Sequence, residues 1–228
     1  MWRDTVLVAG KDLRIELRSR VVMQQVVPVA VLVLVLFAFA LGPDRAPMAQ
    51  AAPGLFWVAV LFASVLAVQR SFALEAADGA RDGLRLSGLD PAGVFLGKTA
   101  AVALQLAILE VVLTAGVVVL YGSHVRSYGS IVVAGLAGTA GLAAAGTLYG
   151  ALAAGLRVRE TLLPFLFLPV AAPVLLAGTR AWQVALGIAG RAGGVDNAGD
   201  PWLRLLLVFA AVYLALGVVI FGPLQEAS

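Results

Sequence analysis

The chain of 228 residues contains no cysteine and one histidine. Without cysteine there is no disulfide, no thiolate metal ligand and no thioether-linked cofactor. The one histidine, His124 in "YGSHVRSYG", cannot build a metal site alone, and no carboxylate cluster flanks it. Charge is scarce as well: Asp, Glu, Lys and Arg make up 13% of the chain, against about 25% in soluble domains. No Ser/His/Asp set and no paired carboxylates within the apolar runs suggest an active site. The net charge of +3 is not arranged as a basic stripe with interleaved aromatics, which excludes a nucleic-acid groove.

What fills the chain instead is apolar. Hydrophobic residues reach 61%, in runs of about 18 residues or more, each long enough to cross a hydrocarbon core of about 30 Å. Lipid offers no partner to a bare N–H or C=O, so such runs are helices. The expected class is an all-α polytopic membrane protein, one transmembrane domain over 1–228. Its six spans are expected near 22–41, 54–68, 99–120, 130–155, 161–178 and 201–222. With the amino terminus inside, Arg3, Lys11, Arg14, Arg18, Arg20, Arg70, Arg81, Arg85, Lys98, Arg157 and Arg159 fall on the inner side. Arg45, Arg126, Arg180, Arg191 and Arg204 fall outside. That excess of inner bases predicts cytoplasmic termini at both ends.

Local patterns refine the layout. In residues 1–20, Trp2, Val6, Ala9, Leu13 and Leu17 share one helical face, with Asp4, Lys11, Arg14 and Arg18 largely opposite. That pattern predicts an amphipathic helix lying in the interface plane. The fourth span threads glycines through alanines, and "GTLYG" at 146–150 is a small-xxx-small step for close helix packing, within the chain or between two copies. The fifth span holds Pro164, Pro169 and Pro173, which predict a kinked or broken helix. Residues 179–200 make a glycine-rich segment outside the membrane. Asp90–Pro91 and Asp200–Pro201 are helix-start signals for the third and sixth spans.

Three places carry polar residues that need a reason. "AGVFLGKT" at 92–99 imitates a phosphate-cradling loop, but Ala92 stands where the first glycine belongs and no strand precedes it. Lys98 is read there as a base marking the cytoplasmic end of the third span. Glu110 is the one acid deep within a span, where a charge costs about 2.5–3.5 kcal/mol. It is expected to face another helix through a hydrogen bond, with Gln105 nearby but not on its face. The third place is residues 70–98, a long polar stretch between two apolar runs. Asp78 and Arg81, and Asp82 and Arg85, are i,i+3 pairs that favour a short helix, while Gly79 and Gly83 weaken it by about 1 kcal/mol each. A marginal helix of this kind is one that docking can stabilise; an ordinary solvated loop is the alternative.

The order of elements resembles an ABC-2 exporter-type permease, and more closely the CcmB family, haem exporter protein B of bacterial cytochrome c maturation. The likeness is carried by "KDLRIELRSR" (11–20), "PGLFWVAVLFASVLAVQRSF" (53–72), "DGARDGLRLSGLDPAGVFLGK" (78–98), "RETLLPFLFLPVAAPVLLAG" (159–178) and "WLRLLLVF" (202–209). It implies a multi-pass subunit of the bacterial inner membrane that dimerises and binds a separate ATPase subunit, CcmA. It also implies partnership with CcmC, CcmD and the periplasmic haem chaperone CcmE. In that family, ATP hydrolysis drives haem export or release of the haem-loaded chaperone. Residues 70–98 would hold the coupling helix, with Glu75, Asp78, Gly79, Arg81, Asp82, Gly83, Leu84, Arg85 and Leu86 meeting the ATPase. No cofactor is expected on this chain itself: ATP belongs to the partner subunit, haem is cargo, and no tryptophan-rich haem motif is present. On residues alone, a permease for a lipid, glycan or drug and a membrane scaffold docking a cytosolic partner both stay open.

Overall fold

The structure is a computed structural model, and it describes residues 1–19, 24, 26–40, 45–77, 88–121, 125–154, 159–188 and 200–227. The described residues are all-helical. The helices are α1 (Trp2–Ser19), α2 (Val27–Ala40), α3 (Arg45–Ala77), α4 (Pro91–Tyr121), α5 (Tyr128–Ala154), α6 (Arg159–Ala185) and α7 (Asp200–Ala227). Five stretches are long and apolar enough to cross a membrane: Pro47–Ala73, Pro91–Val119, Tyr128–Ala153, Thr161–Ala185 and Pro201–Leu224. The apolar α2 is shorter, with 14 residues and hence about 21 Å of rise, less than the hydrocarbon thickness.

The described helices differ from the expected spans mainly at their ends. The second expected span, 54–68, is the middle of a 33-residue helix that projects beyond its apolar run on both sides. Propagating a helix needs only one hydrogen bond per residue, so it continues into polar sequence until something stops it. The three prolines of α6 do not break that helix, which runs through all of them.

α5 is the packing centre and touches α3, α4, α6 and α7. Its glycines explain why so many helices can reach it. The Trp57 indole of α3 lies against Gly138 of α5 and Gly178 of α6, where a Cβ at either position would strike the ring. Beside it, Phe56 stacks on Trp182 with ring centroids 3.8 Å apart. Further along, Val68 and Phe72 of α3 fill the notches over Gly146 and Gly150. The 146–150 step is thus occupied by side chains of the same chain.

The opposite end of the bundle is closed by α4 and α7. The Phe95 ring lies over Gly217, and Phe95 and Phe221 pack with centroids 5.5 Å apart. Large apolar side chains on α2, α4, α6 and α7, such as Phe39, Val111, Phe165 and Val219, are exposed. In lipid these are the outward faces, since exposed apolar surface costs nothing against acyl chains.

The Trp57 notch makes a measurable prediction. Gly178→Ala is expected to destabilise the folded chain by about 1–3 kcal/mol through overpacking. Trp57→Ala costs more alone, but the pair should cost less than the sum, because each change relieves the other. Thermal unfolding of the four proteins in detergent measures this, and strict additivity would remove the notch.

Candidate functional site

α3 ends at Ala77 and α4 begins at Pro91, so the two helices flank the stretch that the sequence marks for docking. Asp78, Gly79, Arg81, Asp82, Gly83, Leu84, Arg85 and Leu86 lie outside the described residues, as does His124. Glu75 is in the last turn of α3, with its side chain outside the description. What the structure does describe is the frame on either side of them.

On the α4 side, Gly88 turns the chain with φ 65°, a conformation open to glycine at no steric cost. Asp90 then caps the helix: its Oδ1 accepts the Ala92 N–H at 3.3 Å, and Pro91 occupies the first helical position. Asp4 of α1 accepts the Asp90 N–H at 3.3 Å. The Met1 ammonium lies 3.1 Å from that same Asp4 carboxylate, and its hydrogen bond holds the carboxyl below its ordinary value.

α1 docks along the first turns of α4. A Cβ at Gly93 would sit 2.9 Å from the Asp4 Cβ, and one at Gly97 would sit 2.7 Å from the Val8 Cβ. Both helices advance four residues between these contacts, so they run side by side. This accounts for the imitation phosphate loop: its two glycines form a notch that lets α1 approach the α4 backbone.

Lys98 follows that notch and is 2% exposed. Its ammonium donates to Ser71 Oγ of α3 at 3.2 Å and to Asp12 Oδ2 of α1 at 3.5 Å. It also lies 4.9 Å from the centre of the Phe72 ring. Lys98, expected as a base marking the cytoplasmic end of its span, is thus buried in a junction of helices. With Gly97 admitting α1, the lysine is enclosed by three helices, and the α1 carboxylate is close enough to replace water. A second ion pair lies beside it, with Arg70 Nε donating to Glu16 Oε2 at 3.2 Å.

α1 consequently has three faces. Asp4, Val8, Asp12 and Glu16 lie against α3 and α4. Trp2 and Leu17 are 77% and 75% exposed on an apolar face, and Arg14 and Arg18 are exposed on a basic one. The expected apolar face is present. The acids, expected on the basic side or left unassigned, instead form their own stripe.

The intramembrane pair is separate. Glu110 of α4 is buried, and its Oε1 accepts a hydrogen bond from Thr139 Oγ1 of α5. Its other oxygen faces Gly135, where a Cβ would be 2.9 Å away. A hydrogen bond to another helix was expected of Glu110 and is found. Gln105, half-buried on α4, is not its partner. No group of three or more His, Cys, Asp or Glu able to hold a metal ion occurs among the described residues.

The sequence alone pointed to neither Asp12, Glu16 and Ser71 as partners nor Thr139. The ion pair gives a test. Asp12→Leu takes the carboxylate from a buried ammonium and should cost about 3–5 kcal/mol. Adding Lys98→Met should recover most of that loss, since an apolar pair of similar volume can replace a buried ion pair. Detergent melting curves measure both, and an Asp12→Leu chain as stable as the parent would contradict the pairing.

Comparison with individual curated proteins gave no match. A family model described as CcmB protein matches residues 4–223, which takes in the α1 stripe, the α4 notch and all the long apolar helices. With that coverage the chain belongs to the CcmB family, membrane permease-type components of cytochrome c maturation haem export that are not themselves enzymes.

Proposed function

We propose that this chain is the transmembrane subunit that couples ATP hydrolysis by a separate ATPase subunit, CcmA, to haem export or to release of the haem-loaded chaperone CcmE. It sits in the bacterial inner membrane with both termini cytoplasmic, pairs with a second copy of itself, and associates with CcmC and CcmD. Residues 78–87 are its coupling element. Leu84 and Leu86 supply apolar contacts to a cleft of the ATPase, and Arg81, Asp82 and Arg85 supply charge around them.

The observation that carries this reading is the frame. α3 and α4, the two helices that bracket 78–87, are both tied to α1 through Arg70, Ser71, Lys98 and the Asp90 backbone. A push on the segment between them would reach three helices together, as rigid-body transmission requires. The family supports the biological setting. The basic balance of residues at the α1 end supports the orientation.

Leu84→Asp tests the reading most simply, because buried apolar contacts dominate binding energy while rim charges contribute less. Recovery of the ATPase subunit by the extracted variant should fall by about tenfold or more. Arg85→Ala should weaken recovery mainly at raised salt. Wild-type recovery together with wild-type cytochrome c maturation in Leu84→Asp would overturn the assignment.

A further inference from the structure

A groove of about 740 Å³ runs between α2 and α3, with its floor reaching Gly150 of α5 and Leu163 of α6. Val26, with Val33 and Phe37 of α2, forms one wall; Val58, Phe62 and Leu66 of α3 form much of the other. Polar side chains enter it at one end, where Gln69 and Arg70 line it. That is the end at which α1 docks, since Arg70 Nε bonds Glu16. From Val26 to Phe37 the wall rises about 16 Å, and from Val58 to Ala73 about 22 Å. One leaflet contributes about 15 Å of hydrocarbon, half of the usual core.

The groove therefore has the length of one acyl chain and a cation at the depth of a headgroup. Arg70 gives its Nε–H to Glu16 and has four further N–H donors on its Nη atoms. Guanidinium donors in that geometry suit a phosphate, which they can bind through two parallel hydrogen bonds. A second copy of the chain would cover the groove with an apolar helix and bury those donors with no acceptor to meet them. We infer that the groove holds one glycerophospholipid of the leaflet at the α1 end, its acyl chain laid along α2 and α3 and its phosphate on Arg70. The inference goes beyond the proposed coupling role and does not depend on it.

The occupant would stiffen the wall formed by α2, the shortest of the apolar helices. It would also place a lipid phosphate next to the Arg70–Glu16 pair that ties α1 to α3. Lipid composition would then bear on how firmly α1 is held.

The test uses the full chain, purified in mild detergent, stripped of lipid and offered phosphatidylglycerol or diacylglycerol with identical acyl chains. Native mass spectrometry counts the lipid retained. One phosphatidylglycerol per chain is expected, retained about fivefold better than diacylglycerol, which lacks the phosphate. Arg70→Gln should abolish that preference. Glu16→Gln, which breaks the same ion pair but keeps the guanidinium, should preserve it. Val29→Trp, at an exposed residue of the α2 wall, should block the groove and lose both lipids. Equal retention of the two lipids, or retention unchanged in both Arg70→Gln and Val29→Trp, would overturn the inference. Oxidative cross-linking between Val29→Cys copies in membranes would overturn it too, by showing that a second chain occupies the groove.

Discussion

A lysine ammonium removed from water must be paired, and that need organises one end of this molecule. Lys98 is enclosed where α1, α3 and α4 meet, and each helix contributes to its surroundings. Asp12 supplies the opposite charge, Ser71 a neutral acceptor and Phe72 the face of a ring. Asp12 is close enough only because Gly93 and Gly97 keep the α4 surface bare for α1. The notch and the buried charge are thus one arrangement: the glycines admit the helix, and the lysine requires its carboxylate.

Consequences spread from that junction in two directions. Towards the bundle, Phe72 also fills the notch over Gly150, so the lysine's aromatic neighbour is shared with the central packing helix α5. Towards residues 78–87, the last turns of α3 and the first of α4 cannot move apart without disturbing Arg70–Glu16 or Lys98–Asp12. On the proposed function, this is the difference between a loop that flexes under load and one that delivers the load to the spans. The far end is held by unlike means, with Trp57 keyed between two glycines and stacked aromatics beside it.

Much of this was legible in the sequence, because membrane helices announce themselves by length and apolarity. The Asp90–Pro91 start signal and the apolar face of α1 could be read directly, since each depends on residues a few positions apart. The pairing of Glu110 across to another helix followed from the cost of an acid in lipid, but its partner did not: Thr139 is one of many hydroxyls, and only helix register selects it. The burial of Lys98 was not legible, because a basic residue at a span's edge normally reaches for water. One clue was present: Asp12 and Glu16, four apart, share a helical face turned away from Arg14 and Arg18. A helix that merely floats on a membrane surface has no need to sort its acids from its bases; one that docks against buried cations does.

The central claim is that α1 stays docked on α4 while the complex works, as part of the frame rather than as a latch. The chain has no native cysteine, so an Asp4→Cys, Asp90→Cys pair, at positions that touch through the Asp90 N–H and the Asp4 carboxylate, can be bridged in membranes by a short cleavable thiol cross-linker without competing thiols. The docked geometry predicts that this bridge forms readily between the two helices and that cytochrome c maturation continues with it closed. Failure to form it would contradict the docked geometry, and maturation lost on cross-linking and regained on cleavage would show that α1 must leave α4 for the protein to act.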